Sequence, residues 1–308
     1  TDLMSRGDIY YAVNREDNSA TDKNKTRLFP LANMMTSYPL TKPVSSDMDM
    51  IVEPIVSVTL VPRLDRQNDI PNEDSQDSQL DSSNLFNPNR FPGLDRVEDQ
   101  SRVTYGGRTS LNWHDGRVAD VFLGQSYRFE DEPNNFPVNS GLSDQKSDYV
   151  GRMRYVDIEN FSLDYGIQLD GDSLNSVRHE IDNRIKFGKF NIDTSYLFAK
   201  TIEGVGVTES REQIQSSVAY RFDEDWQARI GAHYDLGEDQ GLRKSIFGID
   251  YLGQCVTFST TIERKLTEES SGDSGTELMI RLGLKNLGEF QTSGIGLSSQ
   301  SSDNDNVN

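Results

Sequence analysis

Cysteine is nearly absent: Cys255 is the single one in 308 residues. An internal disulfide is therefore excluded, as is a zinc site built on thiolates. Positive charge is also short. Lys and Arg number 31 against 50 Asp and Glu, a net charge of −19. That argues against a general nucleic-acid binder, because phosphates demand a basic surface. No run of about 18 apolar residues occurs, which excludes transmembrane helices but not membrane strands. Histidine is scarce, and His114, His179 and His233 fall on different segments. No Gly-x-Ser-x-Gly elbow, Ser-x-x-Lys motif in a supporting context, or phosphate-binding glycine loop ahead of a helix stands out. The many Asp and Asn residues lack EF-hand spacing. The expectation is no catalytic residue, no metal and no cofactor. No basic-then-apolar leader opens the sequence at Thr1, and Gly7–Val13 reads as a strand already in progress. A piece of a longer chain is expected.

What the chain has is alternation. In Trp226–Leu236, Trp226, Ala228, Ile230, Ala232, Tyr234 and Leu236 share one face, and Gln227, Arg229, Gly231, His233 and Asp235 share the other. Across 276–287, Leu278, Ile280, Leu282 and Leu284 oppose Glu277, Arg281, Gly283 and Lys285. Leu163 and Ile167 likewise oppose Asp164 and Gln168. A helix would scatter these residues around its axis; a strand sorts them onto two faces. About fourteen such segments are expected, near 5–13, 31–41, 48–61, 101–113, 118–130, 149–158, 161–170, 174–187, 190–202, 211–222, 226–236, 242–251, 255–266 and 276–287. Many exceed the ordinary strand length of about 5–6 residues and reach the roughly 9–11 that a tilted strand needs to cross a bilayer. The expected fold class is all-β: an antiparallel, up-and-down transmembrane β-barrel portion. A soluble all-β binding protein is the competing reading outside the membrane.

The connections alternate in length. Short ones are expected near 42–47, 114–117, 159–160, 188–189, 223–225 and 252–254, and mostly longer ones between them, with 171–173 breaking the pattern. Outer-membrane barrels place short turns on the periplasmic side and long loops outside. Trp113, Phe161, Phe187, Phe190, Phe222, Trp226 and Tyr251 sit beside the short turns, as an interfacial aromatic girdle would. Asp65–Ser83 is expected to be a solvated loop, and the acidic residues are expected to gather in outer loops such as 65–81 and 130–148. Residues 1–297 are expected to be barrel and 298–308 a polar, disordered tail.

The segment Asn84–Arg108 carries a more specific signal. Asn89, Arg90, Phe91, Gly93, Asp95, Arg96, Glu98, Arg102, Tyr105 and Gly106 match a pattern that resembles Asn-Arg-aromatic-x-Gly-x-Asp-Arg-x-Glu, then Arg and Tyr-Gly. This is similar to the C-terminal barrel of the lipopolysaccharide-assembly family LptD. Ser37–Leu40 and Glu53–Pro62 sit upstream in the expected order, and Cys255 followed by Ile262–Lys265 resembles the family's penultimate strand.

The resemblance implies about half of a barrel of about 26 strands, in the outer membrane of a Gram-negative cell. It implies insertion of lipopolysaccharide into the outer leaflet through a lumen and a lateral seam. The implied partners are lipopolysaccharide, an LptE-type lipoprotein in the lumen, and a periplasmic lipopolysaccharide bridge reached through an N-terminal domain. Strand 276–287 would be the last, and therefore the seam strand, with Glu277, Leu278, Ile280, Arg281, Leu282 and Leu284. Cys255 would be linked to the periplasmic domain. Many members carry two adjacent cysteines where Gln254 and Cys255 stand here. The alternative is another outer-membrane barrel, of porin or adhesin-translocator type.

Overall fold

Period-2 sequence becomes strand throughout. The computed structural model describes residues 1–11, 24–64, 67, 70, 72–75, 79–201, 210–238, 240–266, 275–285, 288–292 and 295–296. Among them there is no α-helix. The strands are β1 (Asp2–Tyr11), β2 (Asn24–Ser37), β3 (Leu40–Ser45), β4 (Met48–Leu60), β5 (Arg102–Trp113), β6 (Val118–Arg128), β7 (Tyr149–Asp157), β8 (Phe161–Leu169), β9 (Ser176–Phe187), β10 (Phe190–Ala199), β11 (Arg211–Arg221), β12 (Trp226–Asp235), β13 (Gly241–Leu252), β14 (Val256–Lys265), β15 (Thr276–Leu284), β16 (Gly288–Gln291) and β17 (Ile295–Gly296). The expected tail, 298–308, lies outside the described residues.

The chain forms two units. One is Thr1–Ile158 with Leu163–Glu180 and Phe198–Ser210; the other is Glu159–Ser162 with Ile181–Leu197 and Arg211–Asn308. In the first unit, β1 pairs with β2, β2 and β3 both pair with β4, and β4 through β7 follow in order, all antiparallel. In the second, β11 through β15 form an antiparallel meander. On one face its rows are apolar: Val218, Ile230 and Phe247 are neighbours across three strands, and so are Tyr220, Ala228 and Ile249. On the other face the rows are polar. Gly248 lies between Arg229 and Thr261, and a Cβ there would come within 2.6 Å of Arg229 Nε. The missing side chain lets Arg229 reach Thr261 Oγ1 at 2.7 Å.

Aromatic rings sit at the short-turn ends as expected. Trp226 packs on Tyr251 at 5.1 Å and Phe190 on Tyr220 at 4.8 Å, centroid to centroid. Phe187 at the end of β9 is 77% exposed.

Three expectations need correction. First, 14–30 is not wholly a loop, because β2 begins at Asn24 and pairs with β1 across Pro30. The strand continues past a break at Tyr38–Pro39 into β3, and a register shift accompanies Pro43, whose ring leaves no N–H to donate. Second, 276–287 is not the last strand: β16 and β17 fold back along β15. Third, Asp65–Ser83 is not wholly solvated: among its described residues Gln67, Ile70, Ser75 and Leu80 are buried, Leu80 completely, while Glu73, Asp74, Asp81 and Ser83 are exposed.

Candidate functional site

The long connection between β4 and β5 is folded onto the face of β4–β7 that carries Ile55, Arg102, Thr104, Phe122 and Val150. Leu80, Leu85 and Phe91 from the connection join Ile55, Phe122 and Val150 from the strands, and Phe136 and Leu142 from the β6–β7 connection, in one apolar core. Phe91 and Phe136 stack at 4.0 Å with their planes 3° apart. Two glycines make room. Gly106 and Gly124 face each other across β5 and β6, and a Cβ on Gly124 would stand 2.5 Å from Leu85 Cδ2. A second core lies beside it: Phe29, Leu31 and Val97, with Val61 and Leu64 packed against them.

Within this connection the structure brings the motif residues together. The Glu98 carboxylate holds two buried arginines. Arg90 Nε donates to Glu98 Oε2 at 2.8 Å, and Arg90 Nη2 pairs with Glu98 Oε1. Arg102 Nη2 lies 3.4 Å from Glu98 Oε2 and donates to the Asn87 and Pro88 carbonyls, both at 2.8 Å. Burial alone would raise the Glu98 pKa, but the charges of Arg102 and Arg90 and the Arg90 hydrogen bond outweigh it and hold the carboxyl below its ordinary value. Asn89 fixes the start of the turn by accepting from the Glu98 amide at 3.0 Å.

Gly93 is at φ 69° and lies against Asp74, where a Cβ would come within 2.5 Å of the Asp74 carbonyl oxygen. Only glycine fits that approach in that conformation. The Asp74 carboxylate accepts from the Leu94 and Asp95 amides at 2.8 and 3.0 Å. The hydrogen bond from the Asp95 amide is the largest of the influences that bring its pKa to about 2. Asp95 answers by accepting from the Glu73 and Asp74 amides. Arg96 donates to the Ile70 carbonyl at 2.9 Å.

Arg27 of β2 ties the segment to the β1–β2 hairpin. It donates to the Asp95 and Leu94 carbonyls at 2.8 and 2.7 Å and pairs with Asp8 at 2.7 Å.

The other expected residues lie elsewhere. Glu277 and Arg281 share one face of β15, and Leu278, Ile280, Leu282 and Leu284 share the other, in register with Ile262, Thr260, Phe258 and Val256 of β14. Arg281 donates to Gln291 at 3.3 Å. Cys255 is exposed, in the turn before β14. Sequence reasoning missed Leu80, Leu85, Gln67, Asp74, Arg27 and Arg128. Arg128 is legible once the register is known, since it stands opposite Arg102 and donates to Gln100 at 2.6 Å. Among the described residues no group of three metal-ligating side chains comes together.

Long antiparallel strands, apolar on one face and charged on the other, define a portion of a transmembrane β-barrel. The model of the family LptD, LPS transport system D, matches residues 1–226, and the chain belongs to that family. Its place is the Gram-negative outer membrane. Curated relatives named LPS-assembly protein LptD agree. That of Thiobacillus denitrificans is 24% identical over 95% of this chain and 39% of its own length. That of Nitrosomonas europaea is 25% identical over 94% and 39%, and that of Pectobacterium atrosepticum 24% identical over 85% and 36%. The chain thus spans about two fifths of the first two relatives. Among solved structures, a mutant porin of Rh. blastica gives a TM-score of 0.38 at 9% identity, covering 92% of this chain and 90% of that one, a likeness too remote to bear on function.

Proposed function

We propose that this chain is part of the outer-membrane translocon that inserts lipopolysaccharide into the outer leaflet, through a barrel interior and a lateral seam. Family membership supports the assignment. The structural observation that supports it is the fold of the motif segment: Asn89–Arg102 lies against the face of β4–β7 that carries Ile55, Phe122 and Val150. In a closed barrel that face lines the path a polar headgroup must take, so the segment is a plug built from the chain's own long connection.

The cargo sets a mismatch problem. Its acyl part belongs in lipid and its anionic sugar part in water, and a closed barrel has no edge through which to release both together. One seam must be weakly paired. On the family's pattern that seam would lie at the C-terminal end of the barrel, at β15 and the short β16 and β17 that fold back along it. On this reading Leu278, Ile280, Leu282 and Leu284 meet lipid or acyl chains, while Glu277 and Arg281 meet the interior.

An LptE-type lipoprotein fills the rest of the lumen, and a periplasmic bridge delivers cargo through the N-terminal part of the protein. Cys255 is the point at which a disulfide would join the barrel to that part, fixing their mutual angle. The chain performs no chemical step in this scheme.

The test is depletion of the full-length protein in its own cell, with newly made lipopolysaccharide at the surface followed by antibody. Surface appearance should stop while synthesis continues. Undiminished appearance would exclude the reading.

A further inference from the structure

Where the β4–β5 connection meets the strands, buried positive charge exceeds what its neighbours balance. Arg102 of β5 and Arg128 of β6 stand directly opposite each other in register. Both side chains therefore leave the same face, and like charges so placed repel. Arg90 of the connection adds a third guanidinium, through the carboxylate of Glu98 that it shares with Arg102. The side chains of Arg90 and Arg102 are 2% and 1% exposed, and Arg128 is 3% exposed. Among the described residues, the only ion pairs of these arginines are those of Arg90 and Arg102 with Glu98. Asp144 and Asp131, both exposed, act on Arg128 from beyond ion-pair distance. Three buried cations thus meet one buried carboxylate, and arginine cannot shed its proton to relieve the mismatch.

The hydrogen bonds show the same surplus. Arg90 spends Nε and Nη2 on Glu98. Arg102 spends Nη2 on the Asn87 and Pro88 carbonyls. Arg128 donates from Nη1 to Gln100 Oε1 at 2.6 Å and from Nη2 to the Ser143 carbonyl at 3.0 Å. Four buried nitrogens are left with no protein acceptor: Arg90 Nη1, Arg102 Nε, Arg102 Nη1 and Arg128 Nε. Glu98 lies within electrostatic reach of all three arginines, so these donors belong to one cluster. A buried donor without an acceptor costs about 1–3 kcal/mol, and more when it is charged. A buried charge needs both a counter-charge and hydrogen bonds.

We propose that a halide ion, chloride in the cell, binds among Arg90, Arg102 and Arg128. It would supply both missing things at once, a negative charge and an acceptor for the unpartnered N–H groups. Burial decides the size of the ligand. Side chains 1–3% exposed leave no opening for an anion carried on a larger molecule, such as a lipid headgroup or a peptide carboxylate. A spherical ion accepts from several directions without an orientation of its own, which suits donors on three separate side chains. The ion would also join two parts of the fold, since Arg90 belongs to the connection and Arg102 and Arg128 to the strands. It is then a structural ligand of the plug, and the assignment does not depend on what the barrel transports.

The test uses the full-length protein purified from outer membranes in detergent. Its thermal midpoint and the protease resistance of 84–100 are measured in sodium chloride, sodium bromide and sodium gluconate at equal ionic strength. A ligand that binds only the folded state stabilises it in proportion to its occupancy. Both readouts should therefore rise with chloride or bromide and level off, and should not rise with gluconate, which is too large to enter. In Arg128→Gln the halide needed for half the effect should increase about tenfold or more. Arg117→Gln, at an exposed turn, should behave as wild type. General effects of salt would persist in Arg128→Gln, so an unchanged halide response there overturns the proposal. Crystals of the wild-type protein grown in bromide give a reading that needs no variant. An anomalous peak at hydrogen-bonding distance from the Arg102 and Arg128 guanidinium groups is expected. No peak there, or equal midpoints in chloride and gluconate, overturns the site and leaves the donors to water.

Discussion

Leu85 sits where Gly124 has no side chain. A methyl group on Gly124 would lie 2.5 Å from Leu85 Cδ2 and 3.1 Å from Phe122 Cζ. The notch extends across the strand pair, because Gly106 stands opposite Gly124 and its own Cβ would come 2.7 Å from the Leu123 carbonyl. The Tyr-Gly of the family motif therefore has a physical reason: it flattens the face of β5 and β6 on which the β4–β5 connection docks.

Filling the notch should undock the plug. Gly124→Val forces Leu85 out of its seat, and overpacking of this kind costs about 1–3 kcal/mol. Leu85→Ala alone should cost about 2–5 kcal/mol, the range for a buried leucine. The double variant should lose less than the sum, since each change relieves the other. Protease sensitivity of 84–100 and the thermal midpoint are the measurements. Strict additivity would mean the two residues do not share one seat.

The Arg90–Glu98–Arg102 cluster makes a second, electrostatic lock. All three side chains are 1–2% exposed. Glu98→Gln leaves two buried guanidinium groups without their shared counter-charge, and removing one partner of a buried pair costs about 3–5 kcal/mol. Denaturant unfolding of the purified barrel should register that loss. A shift of under about 1 kcal/mol, the size expected for a surface pair, would show that the carboxylate is not the lock.

Much of the fold was legible because alternation is local. Ile230 and Arg229 declare their faces by being adjacent, whatever else the chain does. The turns at 188–189 and 114–117 were equally plain. The plug was not legible, for a reason visible in its composition. Ile70, Leu80 and Leu85 are isolated apolar residues in a run of Asp, Ser, Asn and Gln, and no short window reveals that all three are buried or that Leu80 and Leu85 join Phe122 and Val150 from strands far along the chain. The start of β2 was hidden similarly: Lys25, Thr26 and Arg27 read as loop, yet Arg27 is buried because Asp8, Leu94 and Asp95 supply its partners. Of the motif, the residue types were legible, but the pairing of Gly93 with Asp74 was not.

Asp74 gives the plug a pH dependence. An unfolded aspartate titrates near 3.8, and in the folded segment the carboxyl titrates at about 2. A depressed pKa contributes stability that is complete above the unfolded value and is lost as pH falls through the folded one. The Leu94–Asp95 turn should therefore stay docked at pH 4 and open towards pH 2. Limited digestion with pepsin reads this directly: cleavage within 84–100 should rise across that window. In Asp74→Asn it should already be high at pH 4. Cleavage that is independent of pH in wild type would refute the assignment.

Cys255 is exposed in the turn ahead of β14, so nothing in the described fold blocks a bond to another part of the protein. The full-length protein from membranes should migrate differently in non-reducing and reducing gels, and Cys255→Ser should abolish the difference. If the wild-type thiol is wholly alkylated without reduction, no such bond exists.

Ile230 tests which face meets lipid. It lies mid-way along β12, 62% exposed, with Val218 and Phe247 on either side in register. Its neighbour Arg229 points to the opposite face, towards Asp250 and Thr261. In a barrel, exposure of an isoleucine in such an apolar row means contact with acyl chains rather than water. An arginine near the middle of the bilayer costs about 2–4 kcal/mol. Ile230→Arg should therefore lower the level of protein assembled in the outer membrane and its unfolding free energy by that amount. Gln215→Lys, a charge added to the opposite face of β11 beside His233, should be tolerated. Measuring both in parallel separates orientation from a general intolerance of charge. Equal tolerance at the two positions would show that the apolar row does not face lipid.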